Sequence, residues 1–447
     1  MKNNLVVVSL LLIVSVLKAQ EKKESYTFTL KEAIEHAIQN NYSAKNANRD
    51  IEAAKQKKWE TTTMGLPQIN GNIGYQNNIQ IQRSLIPAEI FGGQPGEFAE
   101  VAFGTNHNLS SSLTLSQLLF DGSYLVGLQS AKTYLKISEN AKLKTDQEIK
   151  EIVINTYGNV LLADESILIL QKNKTILEKT YSDTKEIYKN GLIEEENVEQ
   201  LQITLASINS SLENVKRQKT IANNMLKLVL GIDLQNELIL KDKLDVLSQN
   251  NVDLELLKAD FDVTNTIDYK IGQNLLTSKE LLLKLEKSKA LPSLGAAVNF
   301  GYNSFGNEFT FLNKGQRYFN FSNVGVNLNV PIFSSLGRSS RTQQAKIALE
   351  QSKTQLTQTE QQLKLQFEKA KSDYEFSLEQ LTTSKSNLNL AERIENKNQI
   401  KFKEGLASSF ELTKAQEQLY AAQQTYLQTM LDVINKRATL EKLLNKN

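Results

Sequence analysis

The sequence predicts a mixed fold: a membrane β-barrel continued by a long α-helical coiled-coil barrel, built from an internally duplicated strand-strand-helix-helix unit. Three observations predict it. A pattern of short motifs occurs twice, short stretches alternate apolar with uncharged polar residues, and long proline-free tracts carry heptad spacing.

The duplication comes first. Gly65-Leu66-Pro67-Gln68-Ile69 returns as Ala290-Leu291-Pro292-Ser293-Leu294, and Leu119-Phe120-Asp121-Gly122 returns as Ile332-Phe333-Ser334-Ser335. Tyr188-Lys189-Asn190-Gly191-Leu192 returns as Phe402-Lys403-Glu404-Gly405-Leu406. The offsets are 225, 213 and 214 positions, so the loop between the first two strands is longer than its counterpart. Domains are therefore expected at 20–245 and 246–447, after a leader over 1–19.

That leader is read from Lys2 followed by an apolar run, Leu5 to Leu17, with cleavage expected after Ala19. The run is too short to span a bilayer, and no Cys follows it to take a lipid anchor. Elsewhere no apolar run approaches the roughly 18 residues of a membrane helix, so any membrane insertion is expected through strands. Thr29-Leu30-Lys31-Glu32 is a capping box that opens a helix running toward Met64.

Strands are expected at about 67–82 and 106–119, then at about 292–304 and 319–331. Ile69, Ile73, Tyr75, Ile79 and Ile81 alternate with Asn70, Asn72, Gly74 and Gln76; Val324, Val326 and Leu328 alternate with Asn323, Gly325 and Asn327. One apolar face and one uncharged polar face suit lipid outside and water inside. Tyr75, Phe300, Tyr302, Phe319 and Phe321 are the candidates for an aromatic girdle in contact with outer-membrane lipid. Residues 83–105 and 303–318 read as external loops.

Helical hairpins are expected at about 123–231 and 335–446. No proline occurs from 96 to 290 or after 331, and a proline inside a helix costs about 3 kcal/mol. Leu349, Leu356, Leu363, Phe367, Ala370, Tyr374, Leu378, Leu381 and Leu388 keep steps of seven, or of four and three, which is a coiled-coil seam. A helix from Ser123 to Lys189 would reach ~100 Å at 1.5 Å per residue. Residues 232–253 lack a helical seam and read as a connector between the copies.

Several function classes are excluded. Cysteine is absent, so there are no disulfides, thiolate metal sites or cysteine nucleophiles. His36 and His107 are the only histidines, expected on a helix face and at a strand end. No nucleophile elbow, P-loop or dinucleotide fingerprint is present, so neither enzymatic activity nor a cofactor is expected. A net charge of +2 selects for no nucleic acid.

Four strands cannot close a membrane barrel, and an open edge in lipid leaves backbone groups unpaired at several kcal/mol each. The barrel must then be shared between subunits. A soluble antiparallel sheet on a periplasmic coiled-coil scaffold is the alternative, separated from the first reading by whether extraction requires detergent.

Taken together, these features resemble the TolC-type outer-membrane efflux protein family. The resemblance is carried by Leu30, Ala33, Ala37 and Asn40-Asn41, the paired Leu-Pro strand openings, the corners at Phe120 and Phe333, and the two hairpin tips. It implies a homotrimer with a twelve-stranded barrel in the outer membrane of a Gram-negative bacterium and a helical tunnel in the periplasm. It also implies a passive duct of a tripartite efflux or type I secretion system. The partners would be a periplasmic adaptor protein and a proton-driven or ATP-driven inner-membrane pump. By the same resemblance Gly191, Leu192, Gly405 and Leu406 would meet the adaptor. The periplasmic gate would involve Phe402, Glu411, Lys414, Glu196 and Asn197. The sequence departs from the family pattern here: Phe402 lacks a tyrosine hydroxyl, Ala407 stands where an arginine can occur, and Lys414 replaces an acidic residue.

Overall fold

The computed structural model describes residues 25–445. The expected leader lies outside the described residues. In chain order the elements are β1 (Ser25–Phe28), α1 (Leu30–Asn40), α2 (Tyr42–Thr63), β2 (Gln68–Asn77), β3 (Arg83–Pro87), β4 (Phe98–Ala102) and β5 (His107–Asp121). Then come α3 (Gly122–Lys189), α4 (Glu195–Leu230), β6 (Glu237–Leu240), α5 (Leu244–Asn250) and α6 (Ile267–Ser288). The chain closes with β7 (Ser293–Gly306), β8 (Phe319–Asn329), α7 (Gly337–Lys403) and α8 (Ser409–Leu443). Two compact units result, one from residues 25–51, 138–273 and 356–445, the other from Glu52–Ile137 and Asn274–Gln355.

The second unit holds an antiparallel sheet in the order β2-β5-β7-β8, so each copy contributes one strand pair and β5-β7 joins the copies. Among the described residues both outer strands are open edges. The register puts Ile69, Ile73 and Tyr75 on one face with Leu109, Leu113 and Leu115, then with Val298, Phe300 and Tyr302, then with Val324, Val326 and Leu328. The opposite face carries a polar ladder: Thr114 Oγ1 donates to Asn299 Oδ1 at 2.7 Å, and Asn299 Nδ2 donates to Asn323 Oδ1 at 2.9 Å.

Two strand expectations need correction. Ile79 and Ile81 fall outside β2, because the chain turns after Asn77 toward a separate hairpin. That hairpin, β3–β4, lies in a segment expected to be plain loop, and Arg83 pairs with Glu100 across it at 3.2 Å.

The corners between sheet and helix differ between the copies. Asp121 Oδ1 accepts from the Ser123 and Tyr124 N–H groups at 2.6 and 3.1 Å, which satisfies donors at the start of α3. At the second corner Arg338 Nη1 donates to the Pro331 carbonyl at 2.7 Å, and Ser335 and Leu336 take positive φ.

The first unit is helical, with a core where the connector meets the rods. Val153, Tyr157 and Leu161 of α3 pack with Ala33 and Ala37 of α1, Leu226 and Leu230 of α4, and Ile434 of α8. The two alanines are fully buried, so their small size lets α1 lie close to its neighbours. β1 and β6 form a short parallel pair that periodicity did not signal. One stretch of α3 is apolar enough to cross a membrane, against the sequence reading, yet 44% of it is buried within the protein. Packing on one face accounts for that composition.

Two buried tyrosines, one on each long helix, pin the connector. Tyr157 of α3 donates to Asp242 Oδ2 at 2.8 Å, and that carboxylate also accepts the Leu30 N–H at 2.7 Å. Tyr374 of α7 donates to the Asn251 carbonyl at 2.8 Å and accepts the Asp253 N–H at 2.9 Å. Burial, followed by the hydrogen bond to Asp242, pushes the Tyr157 phenol well above its ordinary range.

Candidate functional site: the paired hairpin tips

Each long helical hairpin turns through a glycine. Gly191 and Gly405 have φ of +68° and +69°, a left-handed conformation in which a Cβ is strained. The closing hydrogen bonds match in the two copies. Leu192 N–H donates to the Ile187 carbonyl and Gly191 N–H to Tyr188; Leu406 N–H donates to Lys401 and Gly405 N–H to Phe402. This double closure satisfies the last carbonyls of α3 and α7 and leaves the following leucine outside the turn. Leu192 is 74% exposed and Leu406 78%.

The two tips lie side by side within the first unit and line a cleft of about 620 Å³ that includes Ile187, Glu194, Asn197, Phe402, Leu406 and Glu411. Asn197 links them, its Oδ1 accepting the Ser409 N–H at 3.2 Å. Ser408 caps α8 in a reciprocal box: its N–H donates to Glu411 Oε2 at 2.8 Å, and the Glu411 N–H donates to Ser408 Oγ at 3.3 Å. The hydrogen bond from the Ser408 backbone holds the Glu411 carboxyl below its ordinary range. Glu411 thus closes the capping box of its own helix, a local role that Ser408-x-x-Glu411 signals as a capping signature.

Of the other expected gate residues, Glu196 and Lys414 are exposed, whereas Phe402 is half-buried. It packs against the buried cluster of Leu177, Leu201 and Ile208, as Tyr181, Leu205 and Tyr420 also do. The first-copy residue Asn197 and the second-copy residues Phe402 and Glu411 therefore meet at one cleft, while Glu196 and Lys414 are absent from its lining.

Behind the tip, burial raises the Glu395 carboxyl of α7, and burial followed by the charge of Glu395 raises the Tyr420 phenol. For a carboxyl whose folded value is raised, the unfolded chain ionises first as pH rises, so stability is lost on going from acid to neutral pH. Glu395→Gln should therefore raise the melting temperature at pH 7 and leave it unchanged below about pH 4. Thermal unfolding at the two pH values checks this; equal shifts at both would remove the carboxyl charge as the cause.

The expected aromatic girdle is divided by the sheet. Tyr75, Phe300 and Tyr302 share the apolar face, with Phe300 and Tyr302 edge-to-face at 5.2 Å. Phe319 and Phe321 do not join them, because they pair with Asn303 and Gly301 on the polar face. A Cβ on Gly301 would come within 2.7 Å of the Phe321 ring, so that ring lies over the glycine. The apolar face gains His107, Phe309 and Phe311 instead. Tyr75 Oη lies 2.7 Å from His107 Nδ1, and its ring meets Phe309 and Phe311 at 5.4 and 6.1 Å. Phe309 and Phe311 sit in a loop without alternation, so composition alone gave no sign of them.

Comparison with known proteins agrees with this architecture. The family model described as outer membrane efflux protein matches residues 33–232 and 282–446. Outer membrane protein TolC of Vibrio cholerae is 24% identical over 63% of this chain, and the match spans 60% of that relative's length. Among solved structures, CusC, described by its forming a transmembrane channel, superposes with a TM-score of 0.74 at 18% identity, covering 95% of both chains. The CmeC outer membrane channel of Campylobacter jejuni gives 0.71 at 18% identity, covering 96% of this chain and 90% of that one. Matched over both copies by the family model and along nearly its whole length by these folds, the chain belongs to the outer membrane efflux protein family.

Proposed function

We propose that three copies of the chain form a passive exit duct of a tripartite efflux or type I secretion system in the outer membrane. The observation that carries this reading is the four-stranded sheet with one apolar face, one polar face and two open edges. In lipid those edges need partners, and three sheets joined edge to edge give a closed cylinder of twelve strands with no orphaned backbone. The two repeats, 20–245 and 246–447, each supply one strand pair and one helical hairpin to this duct. Purified in detergent, the protein should run as a heat-modifiable trimer and conduct ions in planar bilayers. A monomer that stays in solution without detergent would refute the proposal and favour the scaffold.

The duct does no chemistry. Its energy comes from an inner-membrane pump reached through a periplasmic adaptor, and the exposed Leu192 and Leu406 next to Gly191 and Gly405 are the adaptor contacts. An apolar knob on a rigid turn supplies contact area at little cost in ordering. Replacing both leucines by serine should lower adaptor co-purification at least tenfold while the trimer persists; undiminished adaptor binding would move the contact elsewhere.

The periplasmic mouth is ringed by Glu411 and Lys414, with Phe402 and the first-copy residues Glu196 and Asn197 as the gate partners, and Asn197 tying the two tips together. A ring of mixed sign selects weakly among ions. Glu411→Ala should lower cation preference in single-channel recordings, and an unchanged reversal potential would take Glu411 out of the conduction path.

A further inference from the structure

We propose that the β3–β4 hairpin of one copy docks across the subunit seam onto the outer end of β7–β8 in a neighbouring copy. The inference rests on the shared-barrel reading above and adds to it an interface on the water-facing side of the barrel wall, at its outer end. Among the described residues the hairpin pairs only with itself, in a two-stranded sheet separate from the main one. Two strands alone are marginally stable in water, so a hairpin of this kind needs a surface to lie on.

Its own chain leaves that surface uncovered. Leu85 and Phe98 project from the hairpin, and Phe91 from the turn between its strands; they are 66, 65 and 64% exposed. The second external loop of the same chain is already committed elsewhere. Phe309 and Phe311 fold onto Tyr75 and His107, Thr310 Oγ1 donates to Gln316 Oε1 at 2.6 Å, and Tyr318 Oη donates to the Phe311 carbonyl at 2.6 Å. With that loop in place the hairpin still shows its apolar side.

A matching patch stands at the other edge of the sheet. Phe305 and Phe319 lie with ring centroids 6.1 Å apart on the polar face, each about half exposed. With Phe321 they stand on a face otherwise built mainly of Asn, Ser, Gly and Gln, and exposed phenylalanines there mark a contact site. The hairpin extends from β2 and the patch belongs to β7–β8, so edge-to-edge closure brings the hairpin of one copy beside the patch of the next. Charge agrees with this pairing. Residues 83–105 carry Arg83 against Glu89, Glu97 and Glu100, whereas residues 303–318 carry Lys314 and Arg317 against Glu308. The Arg317 guanidinium lies 5.1 Å from the Phe319 ring, which places positive charge at the rim of the patch. Acids on the hairpin suit this basic rim.

The cysteine-free sequence makes a direct test possible. Glu100→Cys and Asn303→Cys are introduced together in the full chain, and isolated outer membranes are treated with a short bis-maleimide. Most of the chain should shift to dimer and trimer bands on a denaturing gel, and each single variant should stay monomeric. Asn72→Cys with Gly325→Cys, one on each edge strand, reports the barrel seam itself. If the seam pair forms the ladder and the hairpin pair does not, the docking is wrong and the shared barrel stands. If neither does, both fall. A ladder from Glu100→Cys alone would mean that hairpins meet one another, which also overturns the proposal.

Discussion

Arginine at Val324 should prevent assembly, whereas arginine at Asn327 should be tolerated. Val324 lies mid-strand in β8 opposite Val298, on the face shared with Phe300 and Tyr302. A charge on the lipid side of a barrel near the bilayer midplane costs about 2–4 kcal/mol in each copy. Three copies multiply that cost, so heat-modifiable trimers in the outer membrane should fall below a tenth of the normal yield. Asn327 pairs with Gly295 on the polar face, where arginine meets water. Gel mobility with and without heating reads both variants. Equal assembly of the two would mean that neither face of this sheet meets lipid, and the duct reading would fail.

The second large effect is expected at Gly231, which ends α4 with φ +71°. A Cβ there would lie 2.3 Å from the Asn40 carbonyl oxygen and 2.8 Å from its carbon. Both are backbone atoms of α1, which cannot rotate away. Asn41 holds this junction from the other side, its Nδ2 donating to the Val229 carbonyl at 2.6 Å. Gly231→Ala combines left-handed strain of about 1–2 kcal/mol with overpacking of about 1–3 kcal/mol. Gly191→Ala isolates the first contribution, since Gly191 has nearly the same φ and nothing within 4 Å of its would-be Cβ. Denaturant titration of both should show Gly231→Ala as the more damaging. A tie would mean that the α1–α4 junction relaxes.

Much of this fold was legible because long elements repeat their pattern. Heptad steps from Leu349 to Leu388 mark one side of α7, and all of those residues are buried or half-buried. Alternation marked the four long strands for the same reason. What periodicity missed was short or distant. β1 and β6 have four residues each, too few to show a period, and Tyr157 meets Asp242 across 85 positions. The misplacement of Phe319 and Phe321 is different, because its signal was present: Val324, Val326 and Leu328 fix the apolar parity of β8, and both phenylalanines stand on the other parity. At the tips, glycine and the exposed leucine could be read from the motif alone, since a left-handed turn demands the first and leaves the second outside. The packing of Phe402 could not be read, because the cluster it packs against, Leu177, Leu201 and Ile208, comes from the other copy.

The tyrosine pins at Tyr157 and Tyr374 also set a mechanical scale. Each acts as a fulcrum, with the helix beyond it as an arm of about 45 Å to the tip at 1.5 Å per residue. Pivoting such an arm by about ten degrees carries its far end about 8 Å. In the proposed trimer an aperture at that end would widen by a small swing of stiff beams, with every hydrogen bond along each beam kept.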